Sequence, residues 1–258
     1  RELGLMQPEG FLGLHVLHAR PDHAEAMHTM APICHAPGRQ VEALQLISAA
    51  MQARKPGPAV LLNRGIILSA LARPQEALES FEQAIKLKSK YAEAHFNRGN
   101  ALSALERDEE ALDAYKKASV IKPGLTDAHF NRGVLLLGLG RYDEALKALA
   151  RALALDPRHA KAHNTYGATL VKLGRYQEAL ASHEKALAID PGYAVACNNR
   201  SRVLYLLNRC DDALERLQAA QAQRPDESEV PYIRGRVLLG LNRNDEAAEN
   251  FQRALALQ

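Results

Sequence analysis

Small apolar residues return along this chain at fixed intervals. Alanine stands at Ala43, Ala77, Ala111, Ala145, Ala179, Ala213 and Ala247. Seven residues later it recurs at Ala50, Ala84, Ala118, Ala152, Ala186, Ala220 and Ala254. Seven residues are two helical turns, so both columns lie on one face of a helix, where a methyl group lets a neighbouring backbone come close. Enlarging either column is expected to overpack that contact, at roughly 1–3 kcal/mol per site. A third small column, Gly65, Gly99, Gly133, Gly167, Ser201 and Gly235, falls in the segment before each alanine pair. Glycine within a helix is unfavourable by about 1 kcal/mol relative to alanine. A packing demand must hold it there, and close crossing of two helices supplies one.

The interval within each column is 34 residues, as the alignment of AEAHFNRGNALSAL from Ala92 with TDAHFNRGVLLLGL from Thr126 shows. Extending that register gives repeats at 24–57, 58–91, 92–125, 126–159, 160–193, 194–227 and 228–258. Residues 1–23 read as the tail of an earlier, degenerate repeat, because Pro21 stands where Pro123, Pro157, Pro191 and Pro225 recur. The punctuation predicts two helices per repeat. Gly140 and Gly174 can end a first helix in the left-handed conformation, and the acidic residues that follow favour the start of a second. The second helix stops at Asp156-Pro157 or Asp190-Pro191, since proline disfavours helical geometry in its predecessor. In the repeat from Ala160 this places helices near 160–173 and 177–189. The fold class is therefore all-α, an array of stacked antiparallel helix hairpins. Repeat 24–57 is the exception: Pro32 and Pro37 fall in its first helix, where Pro32 removes a hydrogen bond and kinks or shortens it.

These features resemble the tetratricopeptide repeat (TPR) family. The resemblance covers about 24–258 and is carried by the small columns, the turn aromatics Tyr142 and Tyr176, the aromatics Phe81, Tyr115 and Phe251, and the terminal prolines. The Asn-Arg-Gly and Gly-Arg-Tyr-x-Glu-Ala-Leu phrases look like bacterial arrays. They are also similar to the superhelix preceding the catalytic region of O-linked N-acetylglucosamine transferases. The resemblance implies an alpha-alpha superhelix (a TPR solenoid) whose first helices line a concave groove for an extended peptide or partner segment, without catalysis. At the position the family usually gives to Trp, this chain has His95, His129 and His163, with Leu61, Cys197 and Pro231 elsewhere.

On that implied groove, one position holds Asn63, Asn97, Asn131 and Asn199, interrupted by Thr165 and ending at Ile233. An Asn side chain offers a donor and an acceptor, so a row of them can pair with a peptide backbone whatever its sequence. The alternative is that these amides satisfy polar groups between adjacent hairpins. Phe96, Phe130 and Tyr232, with Asn164 and Asn198, are expected beside them as pockets that give side-chain specificity. Lys161, Arg202 and Arg236 make the later repeats more basic, which suits a ligand with an acidic segment. A carboxylate clamp of the chaperone-binding TPR subclass is matched by Asn100, Asn131 and Lys161. Phe96 and Thr165 replace two of its three cations, which removes most of the charge-assisted attraction.

Composition narrows the remaining classes. The net charge is +3 from 33 basic and 30 acidic residues, so nothing asks for a concentrated phosphate-binding face, and nucleic acid is not expected as a partner. The column Arg39, Arg73, Arg107, Arg141, Arg175, Arg209 and Arg243 looks like a polyanion track. Glu42, Glu76, Glu110, Glu144, Glu178, Asp212 and Glu246 follow it by three residues and neutralise it. The longest apolar stretch, about Val134 to Leu139, is far below the ~18 residues of a membrane span. Cys34, Cys197 and Cys210 form no paired spacing and read as reduced thiols of a cytoplasmic protein. His15, His18, His23, His28, Cys34 and His35 crowd the N-terminal part without standard zinc spacing, so neither metal nor cofactor is expected. No nucleophile motif or phosphate loop rises above the repeats, and the chain is expected not to be an enzyme. The leading function is an interaction scaffold; the alternative is the substrate-recognition part of a larger enzyme such as a glycosyltransferase. The last repeat ends as an ordinary one, and that uncapped apolar face predicts either continuation of the natural chain or self-association.

Overall fold

The computed structural model describes residues 40–53, 55–207, 210–240 and 243–257. Residues 1–39, with the two prolines of the irregular repeat and the N-terminal histidines, lie outside the described residues. The described helices are α1 (Gln40–Ala53), α2 (Pro58–Ala70), α3 (Pro74–Leu87), α4 (Ala92–Ala104), α5 (Asp108–Ile121) and α6 (Thr126–Gly138). They continue as α7 (Tyr142–Leu155), α8 (Ala160–Lys172), α9 (Tyr176–Ile189), α10 (Ala194–Leu206), α11 (Cys210–Gln223), α12 (Glu229–Gly240) and α13 (Asn244–Ala256). The architecture is the all-α helical-hairpin solenoid, and among the described residues there is no strand. The chain divides into two compact blocks, one reaching Leu135 and the other starting at Leu136.

The hairpin turns share one backbone device. The amides of Arg73, Arg107, Arg141, Arg175 and Arg243 donate to the carbonyls of Leu68, Leu102, Leu136, Leu170 and Leu238, each at 2.9–3.0 Å. Such a bond, spanning five residues back, closes the end of a helix and requires a left-handed residue just before the donor. Gly140 and Gly174 fill that place at φ +75° and +72°. Glu106 and Ala72 hold the same place one and two repeats before Gly140, at φ 58° and 54°. Those two conformations cost roughly 1–2 kcal/mol each, so the surrounding hairpin holds them there. The arginine after each turn then forks onto the glutamate three residues on. Arg73 Nε and Nη2, for instance, lie 2.6 and 2.7 Å from the two Glu76 oxygens. At the described turns the arginine column is thus engaged rather than open as an anion track.

The alanine columns sit at the contacts. Ala77, Ala111, Ala145 and Ala179 are fully buried, as are Ala84, Ala118, Ala152 and Ala186. The glycine column has a more specific cause than helix crossing alone. Sixteen residues after four of these glycines a ring lies on the glycine: Phe81 on Gly65, Tyr115 on Gly99, His183 on Gly167 and Phe251 on Gly235. A Cβ on Gly99 would come within 2.6 Å of Tyr115 Cε1, and one on Gly167 within 2.7 Å of His183 Cε1. No side chain larger than hydrogen fits without moving a buried ring. Around these rings the first block gathers Leu61, Leu68, Ala84, Leu102 and Ala111, and the second Leu170, Val203, Leu204, Leu217 and Leu238.

Candidate functional site

The first helices of the hairpins repeat one surface stripe. On α4 it runs Glu93, Phe96, Asn100 and Ser103, on α10 Val195, Asn198, Arg202 and Tyr205, and on α12 Glu229, Tyr232, Arg236 and Leu239. Steps of three and four residues keep each set on one helical face.

In the first block this stripe leads into a polar junction. Tyr115 Oη donates to Asn100 Oδ1 at 2.8 Å, and Asn131 Nδ2 from the next repeat donates to the same oxygen at 2.9 Å. Burial pushes the Tyr115 phenol up to about 12, opposed by a hydrogen bond from the Asn131 side chain. The Phe96 ring packs on Tyr115 with centroids 6.0 Å apart. Asn97 Nδ2 donates to the Glu93 carbonyl one turn back, at 2.8 Å, while the Glu93 carboxylate meets Lys122 Nζ at 2.8 Å. That lysine holds the Glu93 carboxyl below its ordinary range. Asn63 and Phe130 are half-buried on α2 and α6.

The second block repeats the junction with a different ring. Asn164, buried, accepts at Oδ1 from His183 Nδ1 and from Asn199 Nδ2, both at 3.0 Å. An amide oxygen only accepts, so the imidazole proton sits on Nδ1. Its Nε2 is buried without a hydrogen-bond partner among the described residues. Burial, with Arg202 and Arg200 nearby, lowers the imidazole from 6.5 to about 4, so it is neutral at physiological pH.

Above that junction lies an open pocket of about 590 Å³ between α10 and α12. Asn198, Asn199, Arg202, Tyr205, Glu229, Tyr232, Arg236 and Leu239 line it. Asn198 Nδ2 donates to Glu229 Oε1 across it. Tyr232 packs its ring on Phe251, with centroids 5.8 Å apart, yet remains half exposed. Lys161 is exposed on the first turn of α8 and is not part of this lining. Five of the sequence candidates therefore converge here: Asn198, Asn199, Arg202, Tyr232 and Arg236. Asn100, Asn131 and Phe96 converge instead around Tyr115, while Asn97 bonds the Glu93 carbonyl on its own helix. Tyr205, Leu239 and Glu229 were not among the candidates. Their signal was available, because Tyr205 and Leu239 each follow an arginine by three residues on the same face.

The other chemistry-bearing side chains have local roles. His95 Nε2 and His163 Nε2 bond the Ser89 and Pro157 carbonyls six residues back, at 2.9 and 3.0 Å, which ties each first helix to the loop before it. Burial pushes the Cys197 thiol up, away from a reactive thiolate. Among the described residues no cluster of His, Cys, Asp and Glu can hold a metal ion, and no helix is long and apolar enough to cross a membrane.

Profiles of the tetratricopeptide repeat family match residues 62–125 and 130–194, and again 170–237. Three solved structures illustrate the likeness. A tetratricopeptide repeat protein from Parabacteroides merdae is 20% identical, with a TM-score of 0.67 over 95% of this chain and 93% of that one. YrrB, described as a TPR protein with an unusual peptide-binding site, is 27% identical, with a TM-score of 0.59 over 71% of this chain and 95% of its own. PilW, a type IV pilus biogenesis factor, is 22% identical, with a TM-score of 0.64 over 75% and 90%. No curated protein sequence matches the chain.

Proposed function

The chain belongs to the tetratricopeptide repeat family of interaction scaffolds, and on that premise we propose that it holds an extended segment of a partner polypeptide on the first-helix face, without catalysing a reaction. The observation that carries this reading is the open pocket between α10 and α12, where half-exposed Tyr232 and Leu239 stand beside amide and guanidinium groups. Apolar anchors beside a few polar groups are what an extended chain needs to gain both affinity and register. The peptide-binding site stated for the related YrrB points the same way.

The asparagines contribute in two ways. Asn131 and Asn199 donate inward, to Asn100 and Asn164, and so stiffen the junctions under the groove. An amide nitrogen carries two hydrogens, so Asn97 and Asn199, with one used inside the protein, can offer the other to a ligand carbonyl.

Selection of a displayed library of random short peptides on the intact chain tests the reading. The selected peptides are expected to bind a Tyr232→Ala, Leu239→Ala double variant roughly tenfold more weakly, as loss of an anchor cluster requires. Lys117→Ala, on the second helix of another hairpin, is expected to leave binding unchanged. Equal binding to the double variant and the parent chain overturns the assignment of the groove.

A further inference from the structure

Arg202 and Arg236 hold the same repeat position on α10 and α12, and both line the open pocket. Elsewhere among the described residues many arginines are paired, although exposed Arg151, Arg158 and Arg253 form no ion pair. Arg73, Arg107, Arg175 and Arg243 fork onto glutamates at their turns, Arg98 meets Glu82, and Arg216 meets Glu184. Arg202 and Arg236 form no ion pair among the described residues, and the one carboxylate in their pocket, Glu229, is engaged by Asn198. The equivalent position in the other described first helices is Ile66, Asn100, Val134 and Ala168. At this repeat position, among the described first helices, a guanidinium group occurs only on these two neighbouring stripes. Beside them, Tyr205, Tyr232 and Leu239 are 43%, 51% and 54% exposed.

We propose that this face recognises an acidic segment of a partner polypeptide, with carboxylates on Arg202 and Arg236 and intervening apolar side chains on Tyr205, Tyr232 and Leu239. This rests on the groove reading above and specifies its ligand. Guanidinium groups take carboxylates through paired, charge-assisted hydrogen bonds, and an arginine cannot shed its charge when a ligand desolvates it. A polypeptide fits better than a nucleic acid. Phosphate tracking needs a run of unpaired cations, whereas here Glu229 shares the pocket and the turn arginines are paired.

The test is the same random-peptide selection, run in parallel on the intact parent chain and on the intact Arg202→Glu, Arg236→Glu variant. An Arg202→Gln, Arg236→Gln variant separates charge from shape, and helical circular dichroism verifies folding of each. The parent is expected to enrich Asp and Glu between apolar residues. Its peptides are expected to bind the Glu variant at least roughly tenfold more weakly, and to weaken with added salt. The Glu variant is expected to enrich Lys and Arg in their place. Selected peptides without acidic enrichment, or acidic enrichment that survives in both variants, overturn the proposal while leaving the groove reading intact. A library yielding no binders overturns both. Tight binding of oligo-dT that both variants abolish, without peptide enrichment, transfers the face to nucleic acid and likewise overturns the proposal.

Discussion

The two blocks build the same junction from different rings. In the first, Tyr115 and Asn131 both donate to Asn100; in the second, His183 and Asn199 both donate to Asn164. Each ring lies on a glycine of its own repeat, Gly99 or Gly167. The ring chemistry is therefore exchangeable provided two conditions hold: the glycine beneath stays bare, and an asparagine oxygen meets the ring's donor. What is not exchangeable is the response to protons. The tyrosine is raised to about 12 and the histidine lowered to about 4, so the junctions fail at opposite ends of the pH scale.

That contrast can be broken most directly with pH. His183 is neutral in the folded chain, while its unfolded form takes up a proton near 6.5, so the unfolded state binds more protons between 6.5 and about 4. Stability contributed by this group is present above pH 6.5 and is lost as pH falls towards 4, by up to roughly 3 kcal/mol. The readout is the difference in urea stability between the parent and His183→Phe, followed from pH 7 to pH 4. A flat difference breaks the contrast. For Tyr115 the sign reverses: its contribution is present below pH 10 and is lost as pH rises towards 12. Tyr115→Phe is the matching comparison.

A smaller effect sharpens the comparison by removing the shared acceptors. Asn164→Ala leaves a buried imidazole N–H and an amide without their acceptor, at roughly 1–3 kcal/mol. Asn100→Ala is expected at the lower end of that range, because Asn100 and its donor Asn131 are only half-buried whereas Asn164 is buried. Amide hydrogen exchange within each block measures the two separately, and equal losses would remove the difference in depth. Smallest of all are the turn forks. Arg107→Ala in the first block and Arg175→Ala in the second are expected to leave the unfolding midpoint unmoved, because both pairs are exposed. A clear drop in either would show that the fork, rather than the backbone bond beside it, closes the turn.

Much of this architecture was legible in the 34-residue period. The helices of the repeat from Ala160 span Ala160–Lys172 and Tyr176–Ile189, within a residue of where glycine and proline place them. The turn at Ala72 and Glu106 was not legible, because neither residue advertises a left-handed backbone; only their alignment with Gly140 and Gly174 does. The glycine column announced close packing but not its cause, since each ring lies sixteen residues away on the other helix of the hairpin. The acceptor role of Asn100 and Asn164 was hidden for the same reason, and because they occupy different positions in their repeats. Arg202, Tyr232 and Arg236 could be nominated as candidates, whereas their grouping with Tyr205 and Leu239 required α10 and α12 to be seen side by side.

A chain of near-identical hairpins has a problem of addressing: any second helix could accept any first helix as its neighbour. The position that holds these rings reads Phe81, Tyr115, Leu149, His183, Leu217 and Phe251, and the position sixteen residues on, in the next repeat, reads Asn97, Asn131, Thr165, Asn199 and Ile233. Tyrosine and histidine are each followed by an asparagine, and Leu217 is followed by Ile233, both buried. If a hairpin from another copy of the chain stacked out of order and set Ile233 in the place of Asn199, Asn164 would lose one of its two donors inside the core. Mispairing of Asn199 onto Leu217 would bury an amide against hydrocarbon. The Tyr115–Asn131, His183–Asn199 and Leu217–Ile233 junctions thus penalise an exchange of polar for apolar neighbours, whereas Phe81–Asn97 and Leu149–Thr165 carry no such match. Repeats alike enough to share a fold differ, at these junctions, enough to disfavour some of the wrong orders.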